Sequence, residues 1–269
     1  MNNLILRSLS GAVYVGFIVV AMLMGGWWFV ALTILFAGYG VYEFNKMTNP
    51  QVNALTLTFD VIFADLIVAY GLYENKFLLY AIVVMIMARL VMQLYIKSEK
   101  NALNSIAYSL MAQLYVALPL FMLTMMYSWL PAKLLLAMFI MIWVNDSGAY
   151  VVGSLLGRKI LPYKMFPRIS PKKSWAGFFG GLLFVLIAAV VMFKMLSLPF
   201  SLPAMLGYGV VVVIFSTWGD LVESLIKRTI GVKDSGKFLP GHGGILDRID
   251  SLLLVLPATW VYWAIILEM

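Results

Sequence analysis

The sequence predicts an all-α, polytopic membrane protein with about nine transmembrane helices and a cytoplasmic N-terminus. Three observations lead there. Hydrophobic residues make up 63% of the 269-residue chain and charged residues only 12%, against roughly 25% charged in soluble domains. Apolar runs of about twenty residues, the length that crosses ~30 Å of hydrocarbon, recur near 10–26, 27–44, 55–72, 77–96, 104–127, 134–155, 175–196, 203–226 and 246–267. With the N-terminus and every second loop on one side, fifteen of the nineteen Lys and Arg residues fall on that side. Only Lys76, Lys133 and Lys194 fall on the other, and Arg89 lies inside the fourth span. Such a bias places the N-terminus and the loops 156–174 and 227–248 in the cytoplasm and the C-terminus outside.

The first run lacks an A-x-A cleavage site and continues through Gly25-Gly26-Trp27-Trp28, so it reads as a retained span rather than a signal peptide. The third and fourth spans carry Asp60, Asp65 and Arg89, read as a structural ion pair between neighbours. The chain divides into an N-terminal transmembrane region, 1–130, and a C-terminal catalytic region, 131–269, as one integral membrane unit. It shows no repeat, low-complexity tract or soluble domain. Zero cysteines exclude disulfides and thiolate metal sites. The net charge of +7 is concentrated in the two basic loops, where it suits anionic headgroups or nucleotides; no nucleic-acid partner is expected. The plainer reading is that these lysines only orient the chain.

An ionisable group inside a membrane costs about 2.5–3.5 kcal/mol on the lenient scale, so each one is a functional candidate by default. In the sixth span, "WVNDSGAYVVGSLLGRK", Asn145 and Asp146 suit a polar cavity, and Gly153-x-x-x-Gly157 suits close helix packing. The stretch "RISPKKSWAG" sets Arg168, Ser170, Lys172, Lys173 and Ser174 before the seventh span, where free N–H groups and the helix dipole already favour anions. In the eighth, "STWGDLVESLIKR" spaces Asp220, Glu223, Ser224 and Lys227 at i, i+3, i+4 and i+7, one polar face with Ser216 a turn earlier. Asp247 and Asp250 are i, i+3 at the head of the ninth.

Those last two acids could be helix caps, favoured by about 0.3–1 kcal/mol, but capping leaves Asp220 and Glu223 without a reason. The eighth and ninth spans share one cytoplasmic loop, so Asp220 and Asp247 can approach at one depth. Converging carboxylates repel unless cations neutralise them. With no cysteine and one histidine, an all-oxygen Mg²⁺ site fits, substrate phosphates and water completing the shell.

"GVKDSGKF" (231–238) imitates a P-loop, but Phe238 stands where Ser or Thr is needed and no strand precedes it. His242 cannot by itself form a nitrogen-rich site. The longer stretch "SLIKRTIGVKDSGKFLPGHGGILDRID" (224–250) resembles the signature of the phosphatidate cytidylyltransferases, or CDP-diacylglycerol synthases. That signature reads S-x-φ-K-R, four residues, K-D-x-small, two residues, φ-P-x-H-G-G-φ-x-D-R-φ-D, with φ apolar. The chain departs from it nowhere, and "GDLVES", "NDSGAY" and "SPKKSWAG" are similar to family segments in the family's order. Before residue 130 the likeness is only to a hydrophobic multi-span region.

The resemblance implies transfer of the cytidylyl group of CTP to phosphatidate, giving CDP-diacylglycerol and pyrophosphate at a bacterial inner membrane, with the active site on the cytoplasmic side. It implies that Asp220 and Asp247 hold Mg²⁺, with room beside it for a monovalent cation such as K⁺, and it suggests a homodimer. Lys227, Arg228, Lys233 and Arg248 are assigned to phosphates, Lys227 and Arg248 joining the two aspartates as the catalytic group. Lys172 and Lys173 are assigned to the triphosphate, with Ser170, Ser174, Glu223 and Ser224 as further substrate contacts. Asn145, Asp146, Asp234, His242 and Asp250 are assigned to orienting cation, nucleotide or headgroup. Two rivals remain at this point. A CTP-dependent polyprenol or phytol kinase would release CDP, and a secondary transporter would spread its polar sites about the midplane in two related halves.

Overall fold

The computed structural model describes residues 3–97, 101–156, 163–236, 238 and 243–268, with side chains from residue 11 onward. The chain forms two compact units, one of residues 1–129 and 230–249, the other of residues 130–229 and 250–269. The segment 230–249, grouped by sequence with the C-terminal region, thus packs with the N-terminal helices.

In the first unit, α1 (Asn3–Met24) and α2 (Gly26–Thr48) are separated by one residue. Gly25 and Gly26 take φ of 62° and 50°, a left-handed conformation open to glycine at little cost, so the chain reverses there. Helices α3 (Ala54–Tyr73), α4 (Lys76–Met92) and α5 (Ala102–Ala112) are N-capped by the side chains of Asn53, Asn75 and Asn101, each satisfying an otherwise orphaned N–H. A π-helical turn, Gln113–Ala117, joins α5 to α6 (Leu118–Trp129). Pro119 follows it; proline cannot donate to the preceding turn, and the widened turn absorbs that break.

Helix α4 buries a single residue among those described, Arg89, at 2% exposure. Its apolar side chains Phe77, Tyr80, Val84 and Met87 are exposed, the pattern of a helix that turns apolar groups to lipid and its mid-span charge inward, its other charge, Lys76, standing exposed at the first residue. Arg89 Nε lies 3.5 Å from Asp60 Oδ1 and donates to Ser109 Oγ at 2.9 Å. Its other nitrogens donate to Gln93 Oε1 at 3.0 Å and Ser105 Oγ at 2.9 Å. Asp60 Oδ2 accepts from Asn45 Nδ2 at 2.9 Å and Ser109 Oγ at 2.6 Å. The expected ion pair is therefore Asp60 with Arg89. Asp65 is no part of it, because five residues turn it about 140° away around α3; it lies against Gly38 instead.

In the second unit, α7 (Ala132–Leu155) leads to an antiparallel hairpin, β1 (Lys164–Phe166) and β2 (Ser170–Ser174), then α8 (Trp175–Leu196) and α9 (Leu202–Thr229). Helix α10 (Leu246–Glu268) gives its first turn to the first unit and the rest to the second. Small residues let α7 and α8 touch: a methyl on Gly177 would sit 3.0 Å from the Ala149 carbonyl, and one on Gly153 would sit 3.4 Å from Gly177 Cα. Gly153 thus has the packing role expected of it, while Gly157 lies outside the described residues.

The chain is an all-α polytopic membrane protein. Seven helical stretches among the described residues are long and apolar enough to cross a membrane: α2, α3, the continuous 102–129 stretch, α7, α8, α9 and α10. The other two expected spans are shorter. Helix α4 has 17 residues, and the apolar part of α1 covered is Gly11–Met24. The hairpin is an element the hydropathy pattern does not announce.

Candidate functional site

A cavity of about 480 Å³ opens in the second unit, within the usual range for small-molecule sites, roughly 300–1,000 Å³. Helix α7 contributes Asn145, Asp146 and Tyr150, the hairpin Lys172 and Lys173, α8 Phe178, and α9 Thr217 and Asp220. Ser174, also in the wall, ends β2 and caps α8, its Oγ accepting from Gly177 N at 3.2 Å. That cap anchors the hairpin, so the lysines just before it enter the cavity from a fixed point.

Lys173 Nζ lies 2.8 Å from Asp220 Oδ2 and donates to the Thr217 carbonyl at 3.1 Å. Ser224 Oγ donates to Asp220 Oδ1 at 3.2 Å from one turn along α9. Asn145, 3% exposed, donates through Nδ2 to Ser216 Oγ at 2.8 Å. Its Oδ1 is buried with no hydrogen-bond partner among the described residues. A buried amide oxygen in that state costs roughly 1–3 kcal/mol, which a cation or a donor from a substrate would recover.

Two further α9 residues turn away from this cavity. Glu223 is fully buried and pairs with Lys227 along the helix, Nζ 2.5 Å from Oε2. Asp250 lies within electrostatic range of Asp220, Glu223 and Asp146. Contact between α9 and α10 explains that proximity, because a methyl at Gly219 would meet Asp250 O at 2.6 Å and Ser251 Cα at 2.9 Å. The second unit thus gathers Asp146, Asp220, Glu223 and Asp250 with two lysines among them.

The first unit holds the other part of the expected site. Asp247 accepts from Ser235 N at 3.0 Å and Gly244 N at 2.8 Å through Oδ2. Both contacts belong to the 230–249 segment, so Asp247 closes its own loop. Lys233, Asp234 and Arg248 of this unit are exposed, whereas His242 lies outside the described residues; in the second unit Arg228 is exposed and Ser170 half-buried. The residue that sequence reasoning missed is Glu43 of α2, 3% exposed. Its Oε2 accepts from Leu246 N at 2.9 Å and Ser235 Oγ at 3.1 Å. An acid near the end of an apolar span was a visible signal, but no local pattern links it to a loop 192 residues away.

Asp220 and Asp247 fall in different units. Among the described residues no group of three His, Asp or Glu side chains is placed to hold a metal ion alone. Mg²⁺ commonly takes only one or two carboxylates with water and substrate phosphates, so the oxygen-only donors around Asp220 and Asn145 fit a shared ion better than a preformed cage.

A family model described as "Cytidylyltransferase family" matches residues 5–266. The chain belongs to the cytidylyltransferase family. Among curated proteins it is similar to the phosphatidate cytidylyltransferase of Staphylococcus epidermidis, 46% identical over 125 residues, which is 46% of each chain. It is likewise similar to that of Staphylococcus haemolyticus, 47% identical over 119 residues and 44% of each chain, and that of Staphylococcus aureus, 45% identical over the same length and shares. The matched stretch therefore spans just under half the length of these relatives.

Proposed function

We propose that the protein transfers the cytidylyl group of CTP to phosphatidate, forming CDP-diacylglycerol and pyrophosphate. The observation that carries this reading is the cavity of the second unit, where Lys172, Lys173, Asn145, Asp146 and Asp220 converge within helices otherwise suited to lipid. A lipid phosphate and a nucleotide triphosphate are both polyanions. A site joining them needs cationic side chains over the phosphates and acidic groups that recruit a counter-cation.

In this reaction a phosphate oxygen of phosphatidate attacks the α-phosphorus of CTP. The bond from that phosphorus to the bridging oxygen breaks, and pyrophosphate leaves with the electron pair. The attacking phosphate monoester, with a second pKa near 6, is already mostly dianionic at neutral pH, so no strong general base is required. Catalysis then rests on positioning and charge neutralisation. Lys172 and Lys173 hold the triphosphate, and Asp220 keeps the Lys173 ammonium aimed until substrate arrives. Asp146, Asp220 and Asn145 are the oxygen donors of the cavity that fit Mg²⁺, and Asp247 keeps, on the resemblance of the signature alone, a proposed cation-holding role of its own. When bound, the ion neutralises phosphate charge and lowers the barrier to pyrophosphate departure.

The bias of basic residues supports a cytoplasmic site, the side that holds CTP, in a bacterial inner membrane. The test is pyrophosphate release by the purified, detergent-solubilised chain with Mg²⁺. Release that needs both CTP and phosphatidate is expected. Formation of CDP with a phosphorylated lipid would point to a kinase, and no turnover with either would overturn the reading.

A further inference from the structure

We infer that Glu43 is a positioning residue for the signature loop, the buried post that ties together its described ends, 235–236 and 243–247, so that Asp247 is held in one orientation. The inference rests on the proposed role of Asp247 and concerns a residue outside the signature, contributed by the second helix.

Three observations carry it. Glu43 spans the two ends of the loop, accepting from the Ser235 hydroxyl at 3.1 Å and the Leu246 amide at 2.9 Å through one oxygen. Both donors sit next to Asp247 in the bonding scheme. Ser235 N donates to the Asp247 carboxylate at 3.0 Å, and Asp247 N donates back to Ser235 Oγ at 3.3 Å. Moving Glu43 would therefore free the serine that holds Asp247 by two hydrogen bonds.

The second observation is steric. A methyl group on Gly236 or on Gly244 would overlap the Glu43 carboxylate. The loop backbone passes against the acid on both sides, so these two glycines are the imprint of Glu43 on the signature.

The third is the anchoring of the post itself. Two residues along α2, Asn45 donates to Asp60 Oδ2 at 2.9 Å within the Arg89 network. Residues two apart on a helix face about 200° apart, so one side of α2 is locked to α3 while the other carries Glu43 to the loop. A buried carboxylate held by a rigid helix is a poor sensor and a good template. Groups of this supporting kind typically alter metal affinity or activity by about 10–100-fold when removed.

The experiment compares wild type, Glu43→Gln, Glu43→Ala and Ser235→Ala as full-length protein in detergent. Peptide-resolved hydrogen exchange over 235–247 is measured beside turnover as a function of Mg²⁺. Glutamine offers its carbonyl oxygen to the same two donors, so Glu43→Gln is expected to keep loop protection and turnover near wild type. In Glu43→Ala, amides of Ser235 and Leu246 should exchange at least about tenfold faster. Turnover should fall about 10–100-fold, with a raised Mg²⁺ requirement. Ser235→Ala should expose the Asp247 amide while Leu246 stays protected.

Wild-type exchange and turnover in Glu43→Ala would overturn the inference. So would a Glu43→Gln as impaired as the alanine, since charge rather than an acceptor would then be what matters. If Glu43→Ala does not fold, the glutamine and Ser235→Ala variants decide by the same local exchange pattern. If the wild type releases no pyrophosphate, the proposed activity fails, whereas the exchange measurements still decide the role of Glu43.

Discussion

Lys173 and Asp220 meet at the wall of the cavity in the second unit, the ammonium 2.8 Å from Oδ2, with the Thr217 carbonyl 3.1 Å away on the same nitrogen. Their side chains are 22% and 39% exposed, so the pair contributes little to stability. In the proposed reaction it sets where a cation waits for a polyanion. Loss of one such charge-stabilising group commonly lowers turnover by about 10²–10³-fold. Lys173→Ala and Asp220→Asn should each fall in that range while unfolding at nearly the wild-type temperature. Pyrophosphate release and thermal unfolding in detergent measure the two effects separately.

Asp247 and Asp250 lie one turn apart on α10 yet serve different surroundings. Asp247 closes the signature loop through Ser235 and Gly244, whereas Asp250 shares the field of Asp146, Asp220 and Glu223. Both asparagine variants should lower turnover, but only Asp247→Asn should also raise hydrogen exchange in residues 235–244. Near wild-type turnover in Asp247→Asn would remove it from the catalytic group.

Gly219 is where α9 and α10 touch, since any Cβ there would press on Asp250 O at 2.6 Å and Ser251 Cα at 2.9 Å. These are backbone atoms that cannot step aside. Gly219→Ala should therefore destabilise the protein by about 1–3 kcal/mol. It should also cost more activity than that loss implies, because Asp220 and Asp250 move with the contact. Unfolding in denaturant, set against turnover of the folded fraction, gives both numbers.

The Asp60–Arg89 pair is buried at 0% and 2% exposure. Breaking such a pair leaves one charge uncompensated and typically costs about 3–5 kcal/mol, while an apolar replacement of both is often neutral. Arg89→Met should lower the unfolding temperature sharply, and the double variant Asp60→Leu/Arg89→Met should recover most of the loss.

Because the chain has no cysteine, single cysteines report topology without background. Cysteines at Ser170, at the start of β2 before α8, and at Ser197, just past its C-terminus, should react with impermeant reagents from opposite sides of the membrane. Labelling from one side would overturn the orientation drawn from the basic loops.

Much of this molecule was legible before folding. Hydropathy fixed helices close to their observed ends, because in lipid each backbone group must be satisfied within its own segment and span length follows from bilayer thickness. Asn145, Asp146 and Asp220 were named as polar groups within spans, and Lys172, Lys173 and Ser174 from the basic loop before a helix start and the family resemblance; all six line one cavity. The hairpin was not legible. Its strands are only three and five residues long, and Lys164, Lys172 and Lys173 leave them without an alternating apolar pattern.

Local spacing on single helices, the basic-loop asymmetry and the 224–250 signature were determined by sequence alone, since each depends on residues close together in the chain. Tertiary structure alone decided that Glu43 supports the signature loop, that Arg89 is the inward residue of a lipid-facing helix and that Asp65 stands outside its network. Each is a choice of partner for a buried polar group. Burial obliges such a group to find one, but which side chain answers depends on which helices pack, and no periodicity in the chain records that.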